Sequence, residues 1–541
     1  MVNATFNKAY LNKLLGFKIE ERKLFDQIAK MGPDVESVSD DEITIDLPAN
    51  RIDLIDIVGF ARAIKHFMHK SKRFKYDIKD GSPAVVITVG AGVKQIRPYI
   101  SGMVVRNMKF DEQSLKHLLN FTEKFASNYG RNRKKLAIGL HNLDAMGTEL
   151  NYDAVKNERF TALNLNKNLL LSEVLKEHEK GIAYAGTVGS SGMYPVLKDE
   201  TGIISFIPII NSERTRVTTS TRNLFIEITG TERFSVEKSM DLFAAIFMDM
   251  GGEVQKAKVS YGKSSVMLPK MSSEEIEVPL LGVESQIGVI IGFNNVISLA
   301  NKMGYEAGLL GKKILFNVPA YRVDVINDQD VIEDVAIAYG YDYIQPVQIQ
   351  SAQMGQLEQA TILNQRISEM MVGMGFSEAM NSYLTNDSAN FEKMRRERAD
   401  RKTVRIKNAK TQQISIMRTW LLPSLLRNLG MSQHESMPQM LFELDMAFRI
   451  NSKVEERYSL CAVISGPKTN FNQIKSVVEG VLENLGVSYK LKELQHRSYI
   501  EARNASIVVD GKTVGAFGEL HPEVLSNFGI EEPTVAFELL L

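Results

Sequence analysis

The sequence predicts a multidomain chain of α/β and α+β units. Three observations predict it. The chain has 541 residues, more than one hydrophobic core holds, and length alone points to about three or four domains. Stretches with the two-residue alternation of a strand recur between stretches with the 3.6-residue period of a helix. Hydrophobic residues make up 44% and charged residues 24%, the balance of an ordinary globular chain.

The elements follow in order. EITIDL reads as a short alternating strand from Glu42, and Pro48 breaks it. Asp53 is placed to cap the next helix, which carries Ile55, Val58, Ala61 and Ile64 on one face. A new unit starts near Ala84, where AVVITVGAG reads as a strand ending in glycines. Glu112 to Tyr129 reads as a helix with Leu115, Leu118, Leu119 and Phe125 as its stripe. The basic run GRNRKK (130–135) precedes the apolar strand LAIGLHNLD. GIAYAGTV, YPVLKD, GIISFIPIIN and NLFIEITGT read as further strands, and VEKSMDLFAAIFMDMGG closes the unit as a helix. From Glu275 to Pro346 come a strand, two helical stretches and the acidic segment RVDVINDQDVIEDVAIAYGY. VQIQSAQMGQ reads as a linker. The last unit runs from about Leu357 to Leu541. It opens with the helix LNQRISEMMVGMGF, which ends at Gly375, and continues with strands such as AMNSYLTN, MLFELDMAF, LCAVISG and TVGAFGEL.

Composition excludes several functions. Lys+Arg and Asp+Glu are equal at 65 each, so no global basic field draws in nucleic acid, and any RNA contact must be local. Cys461 is the sole cysteine, which rules out a disulfide framework and a cysteine zinc site. The histidines form no His-x-x-x-His or His-Glu-x-x-His pair. No apolar run reaches the length of a membrane span. The N-terminus lacks the order of a signal peptide, and an intracellular, cytoplasmic chain is expected. GLLGKK (308–313) lacks the spacing of a phosphate loop, KMSSE (270–274) lacks the partner motif of a class I synthetase, and no Gly-x-Ser-x-Gly elbow occurs.

The order of segments carries more than any one of them. PANRIDLIDIVGFARAI is followed by RPYISGMVVRNM, GRNRKKLAIGLHNLD, YPVLKDETGIISFIPIINSE with NLFIEITGTE, YRVDVINDQDVIEDVAIAYGYDYIQP, SIMRTWLLPSLLRNLG with LFELDMAF, and FGELHPEVLSNFGI. This succession resembles the beta subunit of phenylalanine–tRNA ligase in its archaeal and eukaryotic form, over nearly the whole chain. The resemblance implies an N-terminal α+β domain (1–83), an editing domain of mixed α/β structure (84–266) and a winged-helix-like domain of B5 type (270–347). A catalytic-like domain follows (357–541), with the antiparallel sheet of class II synthetases but no catalysis. It implies an alpha2beta2 heterotetramer whose alpha chain joins phenylalanine to tRNA(Phe) with ATP. The editing domain would hydrolyse tyrosine wrongly attached to that tRNA. The alternative is a non-enzymatic scaffold that binds the alpha chain and tRNA without editing.

Within the last domain no Gly-x-Gly-x-Gly-x-x-Arg pattern occurs. Arg418 and Arg427 flank WLLPSLL in an apolar context and read as structural or interface residues, and Trp420 reads as packed. In the editing domain Glu227 is an apt acceptor for a tyrosine hydroxyl, the one group that separates tyrosine from phenylalanine. Related sequences tend to have Asp there, so the reach of the longer side chain matters. Thr229 lies two residues on, on the same strand face, and Thr231 follows Gly230. Asn211 and Ser212 orient a water or the ester, or form a turn. His141 reads as a proton carrier or as a structural residue. Arg131, Arg133, Lys134 and Lys135 offer phosphate contacts, or form a solvated loop. KMRRERADRK (393–402) reads as a solvated helix or partner contact.

In the family the resemblance points to, acids at one position and six, nine and ten residues on are assigned to Mg²⁺. Here they are Asp324, Asp330, Glu333 and Asp334. Carboxylates suit this hard ion. The competing reading is a capping box, Asp330-x-x-Glu333, with acids favoured in the first helical turn. Asp328 falls outside the pattern and reads as a solvated loop residue.

Overall fold

The computed structural model describes residues 2–70, 76, 78, 81–188, 192–349 and 354–541. The chain forms two compact units, Met1–Gln348 and Ile349–Leu541, so the break falls inside the expected linker.

The first unit opens with an antiparallel sheet. Glu42–Leu47 lies at its centre, between Val2–Asn7 and Asp34–Val38. The alternation in EITIDL buries Ile43, Ile45 and Leu47. The helix Ile57–Phe67 packs nearby, and its cap corrects the expectation. Asp56 caps it, with Oδ2 accepting from the amides of Val58 (2.8 Å) and Gly59 (3.1 Å). Asp53 sits in the preceding turn Ile52–Leu54, where both its oxygens take the Arg51 guanidinium at 2.9 Å. The short turn moves the helix start three residues on, so only the second aspartate reaches the N-cap.

The middle of the unit is one long curled sheet. Its path runs Ile210–Asn211, Gly202–Phe206, Tyr194–Asp199, Glu149–Val155, Val86–Val89, Glu253–Tyr261, Tyr99–Arg106, Leu224–Gly230, Leu136–Asn142. The two ends meet, because Asn211 Nδ2 donates to the Leu140 carbonyl at 3.0 Å. The helices Glu112–Ser127 and Arg233–Asp249 contribute Phe121, Phe125 and Phe243 to the core beside it. GIISFIPIIN divides into two strands around Pro208, which has no amide to donate to a ladder. GIAYAGTV is not a strand. It lies in the helix Glu179–Tyr184 and the turn Ala185–Thr187. A short run of small residues does not distinguish helix from strand, and Gly181 is needed for close packing: a Cβ there would lie 1.9 Å from the Val174 carbonyl.

The acidic segment belongs to a small α+β piece. Its sheet has Lys313–Val318 between Glu274–Pro279 and Glu306–Leu310, with helices Leu280–Ile287, Phe293–Lys302 and Asp328–Tyr339. GLLGKK is the hairpin turn of this sheet, with Gly311 at φ +62°.

The second unit is built on an antiparallel sheet in the order Gln439–Ile450, Val454–Ser465, Thr534–Leu540, Lys512–Leu520, Tyr499–Val509, Lys490–Glu493, and Ser377–Glu378 adds in parallel at the edge. Helices Gln359–Gly373 and Phe471–Asn484 supply Ile367, Met371, Ile474 and Val478 to one core, and Leu422–Met431 builds another with Leu422, Leu425 and Leu426. AMNSYLTN yields only the two-residue strand Leu384–Thr385. Its polar side chains bond elsewhere: Asn381 Nδ2 donates to Glu443 Oε2 (2.8 Å), and Ser382 Oγ accepts from the Leu384 amide (3.1 Å). KMRRERADRK forms turns that end in the short helix Asp400–Lys402.

Candidate functional site

A cavity of about 280 Å³ lies at the seam where the curled sheet closes, lined by Ser205, Asn211, Ser212, Thr215, Glu227 and Thr229 among others. Its chemistry centres on Glu227. This side chain leaves the strand Leu224–Gly230 opposite two glycines, Gly102 on one neighbour and Gly139 on the other. The carboxylate leans over Gly139, where a Cβ would meet Oε1 at 2.4 Å. The bare backbone therefore makes room for the longer acid.

Glu227 is 2% exposed. Its Oε1 accepts from Ser205 Oγ at 2.9 Å, and Ser205 Oγ also lies 3.1 Å from Asn211 Oδ1. His141 Nε2 stands 3.7 Å from the same Oε1. Glu227 Oε2 and His141 Nε2 are both buried with no hydrogen-bond partner. A buried oxygen left unpaired is costly, so this pair is an incomplete arrangement that a ligand can complete.

Thr229 also lines the cavity, but its hydroxyl accepts from Arg97 Nε (3.0 Å) and its carbonyl from Arg97 Nη2 (2.8 Å). Burial pushes the Arg97 guanidinium down to about 10, and it keeps its charge near neutral pH. Arg97 thus sets a buried positive charge on the strand face that Thr229 shares with Glu227. Ser212 Oγ donates to the Thr161 carbonyl (3.2 Å) and caps the turn Glu213–Thr215. Thr231 is exposed, and only its amide is fixed, on the Lys135 carbonyl at 3.1 Å. The structure thus brings Glu227, His141 and Asn211 into one network, gives Thr229 and Ser212 other partners, and leaves Thr231 outside.

The mouth of the cavity is charged. Arg133 Nη2 (2.7 Å), Lys180 Nζ (2.8 Å) and Tyr184 OH (2.9 Å) all donate to Glu123. Burial alone would raise the Glu123 carboxyl, but Lys180, Arg133 and Tyr184 outweigh it and hold it at about 2. Arg133 also donates to the carbonyls of Pro208 (3.1 Å) and Ile209 (2.7 Å), and its guanidinium stacks on Tyr184 at 4.2 Å. Arg131, Asn132 and Arg133 all take positive φ, 51°, 52° and 64°, a turn that aims Arg133 inward. Of the basic run, Arg133 and Lys135 are held by the protein, the latter 3.0 Å from Glu232, and Arg131 and Lys134 are exposed.

Of the acids at 324–334, only Asp324 and Asp334 come together, and they do so on Arg322. Arg322, itself buried, holds Asp324 with two bonds of 2.9 and 2.7 Å and lies 2.6 Å from Asp334. Burial works against its charge, but Asp324 and Asp334 push Arg322 well above the usual arginine value. Tyr305 OH donates to Asp334 Oδ2 at 2.5 Å. The helix begins at Asp328, which is exposed, with Asn327 as N-cap. Asp330 closes the capping box, and its Oδ2 accepts from the amides of Ile326 (2.7 Å) and Asn327 (2.9 Å). Glu333 points to solvent. The helix starts two residues before the expected position, so the box is Asn327–Asp330 and not Asp330–Glu333. Among the described residues no group of three or more His, Cys, Asp or Glu is arranged to hold a metal. The donor chemistry suits Mg²⁺, but as placed the four residues do not fit the ion.

In the second unit Arg418 is buried, its Nη1 paired with Glu443 and its Nε donating to the Met446 carbonyl at 2.9 Å. Arg427 is exposed on the helix Leu422–Met431. Trp420 Nε1 donates to the Asn390 carbonyl (3.1 Å), and Arg396 stacks on the ring at 4.2 Å. Arg418 and Trp420 are thus engaged in structure.

Comparison with known proteins puts these units in order. Residues 81–245 match the family model "B3/4 domain", residues 276–341 "tRNA synthetase B5 domain", and residues 346–541 "Phenylalanyl tRNA synthetase beta chain CLM domain". The phenylalanine–tRNA ligase beta subunit of Archaeoglobus fulgidus is 36% identical over 535 residues, covering 98% of this chain and 96% of that one. The chain belongs to the phenylalanine–tRNA ligase beta-subunit family. The Methanocaldococcus jannaschii beta subunit is 33% identical over 552 residues, covering all of both chains. The solved N-terminal fragment of the Pyrococcus horikoshii phenylalanyl-tRNA synthetase beta subunit superposes with a TM-score of 0.60 at 30% identity, covering 63% of this chain and 100% of the fragment. Membership of the ligase beta-subunit family makes this a component of protein synthesis. No helix among the described residues is long and apolar enough to cross a membrane.

Sequence reasoning missed Ser205, Arg97, Thr215 and the Glu123–Lys180 mouth. Ser205 lies in an apolar strand, and Arg97 is far from Glu227 in sequence. Gly139 was the one legible signal, a glycine in the middle of a strand, which often marks close approach by another group.

Proposed function

We propose that the seam cavity is an editing site that hydrolyses tyrosine from mischarged tRNA(Phe). The chain would act in the cytoplasm within an alpha2beta2 ligase whose alpha subunit attaches phenylalanine with ATP. The observation that carries this reading is Glu227 Oε2, a buried acceptor without a partner in a cavity of about 280 Å³. An acceptor of this kind pairs with a phenol hydroxyl. A phenylalanine ring in its place leaves the carboxylate unpaired, and sites built this way reject the analogue lacking the hydroxyl by factors on the order of 10⁴. The hydrolysis needs no nucleophilic triad. Water adds to the ester carbonyl carbon, the bond to the ribose oxygen breaks, and that oxygen takes a proton, giving tyrosine and free tRNA. Holding the ester and water in register supplies much of the rate. Asn211 and the cations at the mouth, Lys180 and Arg133, are the groups available for this. Mg²⁺ has no step in this scheme.

The test uses the alpha–beta complex, isolated as a four-chain assembly by native mass. Wild type should deacylate Tyr-tRNA and spare Phe-tRNA, and Glu227→Gln should lower the Tyr-tRNA rate about 100-fold with assembly unchanged. A wild-type complex with no deacylation would favour the scaffold reading.

A further inference from the structure

We infer that Thr215 is a positioning residue. Its hydroxyl donates to His141 Nδ1 and fixes the imidazole tautomer whose Nε2–H faces Glu227, which leaves Glu227 Oε2 as the acceptor for a ligand hydroxyl. The functional half of this inference rests on the editing reading; the geometric half does not.

Thr215 is fully buried at the end of the turn Glu213–Thr215. Its single hydroxyl hydrogen has two acceptors in range, His141 Nδ1 at 2.9 Å and the Ser212 carbonyl at 3.3 Å. Only two arrangements exist for a neutral ring. In the first, the hydrogen goes to Ser212, and Nδ1 must bring its own proton to Thr215. Nε2 is then a bare lone pair, 3.7 Å from Glu227 Oε1. Two acceptors would face each other away from water, and Nε2 would be left with no partner. In the second, the hydrogen goes to Nδ1 over the shorter distance. Nε2 then carries the proton and points at a carboxylate, an attraction that low dielectric strengthens. The second arrangement removes the conflict, at the cost of the longer contact to the Ser212 carbonyl.

The consequence falls on Glu227. Its Oε1 accepts from Ser205 Oγ at 2.9 Å and faces the His141 N–H across 3.7 Å, an electrostatic contact and not a hydrogen bond. Phe225 beside the imidazole, with centroids 5.9 Å apart, backs the ring. Oε2 is the oxygen with no partner. His141 itself is 0% exposed, with one nitrogen occupied by Thr215 and the other turned to Glu227. It therefore acts on the acceptor rather than carrying protons for the ester. The same logic orients metal-bound and catalytic histidines, where the partner of one ring nitrogen decides what the other presents.

The experiment is magic-angle-spinning ¹⁵N spectroscopy of the histidine-labelled full-length chain, with His141 assigned by the signals lost in His141→Gln. Wild type should show a pyridine-type Nδ1 and a pyrrole-type Nε2. A protonated Nδ1, as the other tautomer or as imidazolium, overturns the proposal. In the alpha–beta complex, Thr215→Val should lower the preference for Tyr-tRNA over Phe-tRNA hydrolysis about tenfold, the loss of one hydrogen bond, and Thr215→Ser should retain it. An unchanged preference in Thr215→Val also overturns it. Should wild type hydrolyse neither ester, the editing reading falls, and the spectrum alone decides the tautomer. Should Thr215→Val fail to fold, the wild-type spectrum and Thr215→Ser carry the decision.

Discussion

Glu227 occupies space that another residue gives up. Its cross-strand neighbour Gly139 has no side chain, and a Cβ there would stand 2.4 Å from Oε1 and 3.0 Å from the carboxyl carbon. Gly139→Ala should therefore push the carboxylate off its Ser205 bond and lower Tyr-tRNA hydrolysis about tenfold or more, through the loss of a positioned acceptor. Deacylation rates together with a melting curve check it. A rate loss with little change in stability is expected, because the displaced atoms are the tip of a side chain. The sequence marked Glu227 as an acceptor by its chemistry, but whether its extra methylene fits depends on glycines on two other strands. At His141 the choice between proton carrier and structural residue was open in the sequence, since a ring's role depends on what touches each nitrogen.

Helix ends show the limits of reading one element at a time. The capping chemistry of the acidic segment was legible, because acids cluster before an apolar period. The register was not: the helix starts at Asp328, with Asn327 as its cap. Asp330→Ala removes the side chain that accepts the amides of Ile326 and Asn327, and should cost about 1 kcal/mol of stability. The isolated chain should bind Mg²⁺ no better or worse afterwards, since Asp324 and Asp334 stay on Arg322. Calorimetric Mg²⁺ titration of wild type and variant checks this, and a binding isotherm in wild type that vanishes in Asp330→Ala would restore the metal reading. GIAYAGTV failed as a strand for a related reason. Its small residues fit either period, and the contact of Gly181 with Val174 settles the matter.

Across the whole chain, stability should carry a pH signature from the second unit. Burial pushes the Glu538 carboxyl up to about 7, although it accepts from the amides of Leu421 and Leu422 and lies near Arg396 and Arg418. The folded chain thus holds this proton more tightly than the unfolded chain does. Both forms are protonated below about pH 4.5. As pH rises toward 7 the unfolded form ionises first, so stability falls across that window and levels off above it. The loss is on the order of 3 kcal/mol, and Glu538→Gln should flatten it. Urea midpoints between pH 5 and 8 measure this, and an equal slope in the variant would remove Glu538 as the source. The sequence by itself determined most of the alternating strands, the helical stripes and the family resemblance. All of these rest on local period or on the order of segments along the chain. Tertiary structure alone decided that Glu227, Ser205, His141, Asn211 and Thr215 meet, and that Asp324 and Asp334 share Arg322. The physical reason is that the cavity exists only where a curled sheet brings its two ends together, and closure of that seam is set by long-range pairing that no local pattern records.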